Sequence, residues 1–194
     1  MNIEISRKKS LGLLILAGGR STRMGMDKGS LKIEGKTFKE HIASNMGSYE
    51  ERLFSSNGED GVAGFVTVPD NPDFRSAGPA AGIVSALESC KSSWLMVVPC
   101  DTPFVDEGVA LALWESAKDS LVPVVAYSKN GIEPLIGIYP KEASSEMKKS
   151  LKEGNRKVID ILETIGYKAV NIQEEKLVNI NRPEDYEKIR EKYE

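Results

Sequence analysis

The chain carries a single histidine, His41, among 194 residues, and only two cysteines, Cys90 and Cys100. One histidine argues against Ser-His-Asp chemistry and against a histidine-rich metal site. The two cysteines make neither a metal-ligand spacing nor a disulfide framework, a usage that suits a reducing, cytoplasmic compartment. No run approaches the ~20 apolar residues that a membrane span needs. Neither sign of charge dominates: 26 Lys and Arg against 29 Asp and Glu leave a net charge of −3. That balance argues against a general nucleic-acid binder, so any affinity for phosphate has to be local.

Two standard phosphate motifs are also absent. Gly25 is followed by Met26, where a Walker loop requires Lys, and no Gly-x-Gly-x-x-Gly spacing occurs. There is no internal repeat, low-complexity tract or long linker. With 40% apolar and 28% charged residues, the composition is that of an ordinary globular protein. It suits one domain spanning residues 1–194, long enough to bury a core without disulfides or metals.

The stretch around which the rest is arranged is LAGGRSTRMGMDK, residues 16–28. The apolar run before it, residues 11–16, is short, branched-aliphatic and stopped by Gly18-Gly19, which predicts a buried strand. Glycines let backbone N–H groups approach an anion closely. Arg20 and Arg23 can fork onto phosphate oxygens, and Lys28 adds a mobile point charge. Taken alone, the same residues also fit a plain glycine turn with solvated cations. The preceding Arg7-Lys8-Lys9 gives the start a likeness to a signal peptide. Cleavage there would remove the best strand in the chain, so the segment is read as part of the fold.

Further along, Thr37 and Glu40 form a capping box ahead of Phe38, Ile42 and Met46 at helical spacing. His41 falls on the opposite, exposed side of that helix. Short strands are expected over 52–56 and 65–68, the second ended by Pro69-Asp70-Asn71-Pro72. Pro79 suits the first turn of a helix that buries Ile83, Val84 and Leu87. Gly82 in that helix permits close approach to a ligand or to the sheet. The nearly continuous apolar run 94–98 predicts a strand covered on both faces. Asp106 caps a helix burying Val109, Ala110, Leu113, Trp114 and Ala117. Strands over 122–127 and 133–139, joined by Asn130-Gly131, read as a hairpin, so the sheet is mixed. Two helices follow, marked by Ala143, Met147 and Leu151, then by Val158, Ile159 and Leu162, the second ended by Gly166. Strands over 167–172 and 176–180 precede a last helix that starts at Pro183. Together these predict a three-layer α/β/α, Rossmann-like fold with a mostly parallel mixed sheet and an antiparallel strand.

In such folds ligands bind beyond the carboxyl ends of the strands. Residues 18–28, Asp70, Asp101 and the Asn179-Ile180-Asn181 segment fall there. Period-two geometry sends Asn179 and Asn181 to one side together. Asp101 ends a buried strand between Pro99 and Pro103. It reads as a hard oxygen ligand for Mg²⁺ or, equally on its own, as a turn-capping carboxylate.

The segment LAGGRSTRMGMDK resembles the signature loop of the molybdenum cofactor guanylyltransferases, within the wider nucleotide-triphosphate transferases. Pro99-Cys100-Asp101-Thr102-Pro103 is similar to that family's Pro-Cys-Asp-Thr-Pro segment, and Gly78-Pro79-Ala80-Ala81-Gly82 to its Gly-Pro-x-Ala-Gly segment. Glu133-Pro134-Leu135 resembles its x-Pro-Leu strand, Gly154-Asn155-Arg156 its Gly-x-Arg segment, and Asn179-Ile180-Asn181 its Asn-x-Asn segment. Arg182 departs from the pattern, standing where Thr is usual.

The resemblance implies transfer of GMP from GTP to molybdopterin or its molybdenum form, with release of pyrophosphate. It implies that Leu16, Ala17, Gly18, Gly19 and Lys28 hold the triphosphate, with Arg23, Lys28 and Asp101 catalytic and Asp101 on Mg²⁺. Asn57, Asp70, Gly78 and Gly82 would line the nucleotide, and Arg156, Asn179 and Asn181 the acceptor side. Asn181 reads equally as a cap of the last helix. Expected partners are the two substrates and, transiently, other proteins of molybdenum cofactor biosynthesis, with neither nucleic acid nor membrane. A same-fold enzyme with another substrate pair, such as a cytidylyltransferase or sugar-phosphate uridylyltransferase, stays open at this point. So does a non-catalytic nucleotide-binding protein.

Overall fold

The computed structural model describes residues 11–17, 32–47, 49–58, 61–75 and 77–193. The first strand, β1 (Leu11–Leu16), is buried along its whole length. Its side chains alternate between two cores: Leu14 and Leu16 join one, and Leu11, Leu13 and Ile15 the other. Two cores on opposite faces of one strand require helices on both sides, which is the three-layer arrangement expected.

The sheet has seven strands. With β1 they are β4 (Arg52–Ser55), β5 (Val66–Val68), β6 (Trp94–Pro99), β7 (Val124–Ser128), β8 (Gly131–Pro140) and β9 (Lys168–Asn171). Their order is β5-β4-β1-β6-β8-β7-β9. β8 pairs antiparallel with both neighbours, and every other pairing is parallel. The carboxyl ends of the other six strands therefore share one edge of the sheet.

The two-residue strands β2 (Lys32–Ile33) and β3 (Lys36–Thr37) form a separate hairpin. Helix α1 (Phe38–Asn45) follows, with the capping box in place: Glu40 N donates to Thr37 Oγ1, and Thr37 N to Glu40 Oε2. α2 (Pro79–Ser89), α4 (Ala143–Lys152) and α5 (Val158–Ile165) contribute to the first core, while α1 and α3 (Glu107–Ala117) contribute to the second. The last helix, α6 (Pro183–Tyr193), joins a small third cluster of Ile33, Phe38, Ile180 and Ile189. Tyr186 ties it to the hairpin by donating from its hydroxyl to Lys32 O at 2.7 Å. Among the described residues no helix is long and apolar enough to cross a membrane.

Two expectations need correction. Residues 176–180 are not a strand. A 3-10 turn over Glu174–Lys176 leads into irregular chain, because Ile180 N donates to Asp101 O rather than to a strand neighbour. His41 is half-buried, not exposed, and its Nε2 lies 2.6 Å from Ile33 O, so the ring ties α1 to β2. The helix marked by Val158, Ile159 and Leu162 is in place as α5, which buries Val158, Ile161 and Leu162.

Candidate active site

The carboxyl ends of four adjacent strands are stitched into one row. Ser56 N donates to Val68 O, Ala17 N to Ser55 O, and Cys100 N to Leu16 O. The next link reaches beyond the sheet, where Ile180 N donates to Asp101 O at 2.9 Å. Chain order runs outward from β1 to β4 and β5, then returns to β6 on the other side of β1. The Leu16–Cys100 contact thus sits where the sheet changes direction, the place where open α/β sheets bind ligands.

Asp101 is half-buried in the turn between β6 and α3. The Asn179-Ile180-Asn181 segment lies directly beside it. Ile180 is fully buried, while Asn179 and Asn181 are exposed on either side of it. Exposure thus alternates along this segment although it is not a strand. Asn181 does not occupy the cap of α6. Arg182 does, since its carbonyl accepts from Asp185 N and Tyr186 N. Asp185 Oδ2 accepts in turn from Arg182 N at 3.1 Å, the acidic half of a capping box without its hydroxyl half.

Asn57 and Asp70 meet at the ends of β4 and β5. Asn57 Nδ2 donates to Asp70 Oδ2 at 2.7 Å, and Asp70 N donates to Asn57 Oδ1 at 2.9 Å. The next residue, through Asn71 N, donates to Ser85 Oγ of α2 at 2.8 Å. Gly78 is the N-cap of α2 and makes no side-chain cap bond, so that helix start is exposed at the same edge. Gly82, one turn further, faces the sheet. A Cβ there would lie 2.5 Å from Ser55 Oγ and 3.2 Å from Leu16 Cδ2. Its position gives the close helix–sheet approach, the second of the two roles open to it from sequence.

Arg156 is exposed in the connection from α4 to α5. β8 ends beside Trp94, at the amino-terminal edge, so α4 returns the chain to the carboxyl edge. Arg156 thus shares the edge with Asp101. Gly18, Gly19, Arg20, Arg23 and Lys28 lie outside the described residues. Leu16 and Ala17, from which the chain enters that segment, stand at the centre of the row.

One acidic group was not singled out from sequence. Glu133 on β8 is half-buried, and its carboxyl is raised above the ordinary range, first by burial and then by the negative charge of Asp101. A lone Glu in an alternating strand carries no signal of such a neighbour. Two carboxylates supply hard oxygen donors, the chemistry that suits Mg²⁺, which takes one or two carboxylates and completes its shell with substrate phosphates and water. Among the described residues no group of three or more His, Cys, Asp or Glu could hold an ion alone.

The fold, with its polar row at the switch point, defines a Rossmann-like protein that binds its ligand at the carboxyl edge of the sheet. The chain belongs to the family described as the MobA-like NTP transferase domain, whose model matches residues 13–169. A probable molybdenum cofactor guanylyltransferase of Carboxydothermus hydrogenoformans is 35% identical over 93% of this chain and 95% of its own. Another, of Bacillus cereus, is 31% identical over 89% and 92%. The crystal structure of molybdopterin-guanine dinucleotide biosynthesis protein A from Archaeoglobus fulgidus superposes with a TM-score of 0.76 at 23% identity, covering 93% of this chain and 97% of that one. The 2-C-methyl-D-erythritol 4-phosphate cytidylyltransferase of Thermus thermophilus shares the fold at a TM-score of 0.72 and 15% identity, covering 94% and 98%.

Proposed function

We propose that this chain, as one domain over residues 1–194, transfers GMP from GTP to the terminal phosphate of molybdopterin or of its molybdenum form. An acceptor phosphate oxygen attacks the α-phosphorus, and the bond to the bridging oxygen breaks to release pyrophosphate. The attacking group is already an anion, so no activated serine or cysteine is needed. Catalysis is positioning plus charge neutralisation.

The observation that carries this reading is the hydrogen-bonded row that sets Leu16, Ala17, Asp101 and the Asn179–Asn181 segment side by side at the switch point. The printed names of the relatives point to GTP and the molybdenum cofactor as the substrate pair. Backbone N–H groups over 16–19 hold the triphosphate, while Arg23 and Lys28 offset charge on the leaving pyrophosphate. The Asn57–Asp70 pair and the open start of α2 bound the nucleoside side. Asn179, Asn181 and Arg156 face the acceptor.

Asp101 holds Mg²⁺, which when bound supplies neutralisation of the phosphate oxygens. A usage of only two cysteines in 194 residues supports a cytoplasmic enzyme.

The test is a pyrophosphate-release assay with GTP, Mg²⁺ and molybdopterin. Wild-type chain is expected to release pyrophosphate only when acceptor is present. Asp101→Ala is expected to lower turnover by at least ~10²-fold while keeping the far-UV circular dichroism of the wild type. Near-normal turnover in Asp101→Ala removes Asp101 from the mechanism.

A further inference from the structure

β8 carries a break in its register. Ala126 pairs with Glu133 and the preceding Val125 pairs with Gly137, so residues 134–136 face no partner on β7. On its other side β8 leaves β6 at the same place, the last pair being Val97 with Gly137. β6 runs on from there to Pro99 and then to Asp101. The bulge therefore lies against the carboxyl end of β6, and Glu133 stands at its start.

Tyr139 closes this bulge. Its ring is fully buried, and its hydroxyl donates to Pro134 O. Burial pushes the phenol well above its ordinary range, so it stays a neutral donor. A buried hydroxyl is costly unless it is bonded, and a Phe would fill nearly the same space without that cost. The hydroxyl is thus spent on one carbonyl, that of the residue after Glu133. Bulges next to active sites serve to re-aim a side chain, and groups behind the ligands set their orientation.

We propose that Tyr139 is a positioning residue, clamping the β8 bulge so that Glu133 joins Asp101 as the second carboxylate toward the metal–triphosphate. This rests on the guanylyltransferase reading and deepens it. Tyr139 touches neither substrate nor metal, so its effect passes wholly through Glu133.

The test measures binding rather than turnover. Full-length chain with GTP at a fixed concentration is titrated with Mg²⁺, and the thermal shift gives the half-saturating metal concentration. Tyr139→Phe and Glu133→Gln are each expected to raise that concentration about tenfold. The double variant is expected to be no worse than Glu133→Gln alone, because both act on one group. A Tyr139→Phe midpoint within about twofold of wild type, or effects that multiply in the double variant, overturns the proposal. So does a Tyr139→Phe chain that fails to fold, which would make the hydroxyl a structural group. An unchanged midpoint in Glu133→Gln, which leaves the clamp intact, overturns it independently. A wild-type chain that binds no GTP at any Mg²⁺ concentration contradicts the guanylyltransferase reading itself.

Discussion

Individual side chains divide between the two edges of the sheet. At the edge away from Asp101, Glu51 accepts from Lys91 N at 2.8 and 3.0 Å and from Ser92 N at 2.8 Å. Burial alone would raise its carboxyl, but these N–H donors, the Ser92 hydroxyl and the charge of Lys141 together outweigh burial and hold it below the ordinary value of 4.5. A depressed folded-state value stabilises the fold above 4.5, and that contribution is lost as pH falls through the folded value. Glu51→Gln is expected to cost about 1.5 kcal/mol at pH 7. Urea denaturation is expected to show the gap from wild type closing as the pH drops below 4.5. Turnover stays unchanged, since Glu51 lies at the opposite edge from Asp101. Nearby Cys90 is buried, and burial, followed by the charge of Glu51, pushes its thiol up to about 11. Its place is in the core, not in chemistry.

The elements were legible in proportion to how strongly each marks itself. β1 and β6 stand out because both faces are covered, which leaves an almost unbroken apolar run. α1 and α3 announce their starts through Thr37 and Asp106, whose side chains accept the bonds expected of them. β2 and β3 escaped notice, since a strand of two residues has no period. The 176–180 segment imitated a strand because it buries Ile180 and exposes its neighbours, whereas only the bond to Asp101 reveals what it pairs with. The neighbourhood of Glu133 was invisible for a similar reason: its place depends on a three-residue slip in an antiparallel register.

That slip also makes Gly137 sensitive. A Cβ there would meet Val124 O and Val125 Cγ1, each at 2.8 Å, and a backbone oxygen cannot turn away. At Gly82 the nearest atom is the Ser55 hydroxyl, which can rotate. Gly137→Ala is expected to lose about 3 kcal/mol and Gly82→Ala about 1 kcal/mol. Thermal melts read this as drops of about 6–12 °C and about 2–4 °C. Equal melting temperatures would contradict the tight β7–β8 contact.

At the scale of the whole molecule, a net charge of −3 has to coexist with a site for a polyphosphate. The sheet reconciles them by topology, with six carboxyl-terminal strand ends on one edge and Leu16 beside Cys100 at their centre. From there the chain enters the segment that holds Arg20, Arg23 and Lys28. The shared fold of the Thermus thermophilus cytidylyltransferase makes base choice the sharpest question. The direct measurement is a thermal-shift comparison of GTP, CTP, UTP and ATP, each with Mg²⁺. Ligand at about 100 times its dissociation constant stabilises by ~2.7 kcal/mol, enough to raise the melting temperature of a domain this size by roughly 5–10 °C. The account predicts that shift for GTP and a clearly smaller one for the other three. A larger shift with CTP or UTP, or none with any of them, would contradict it.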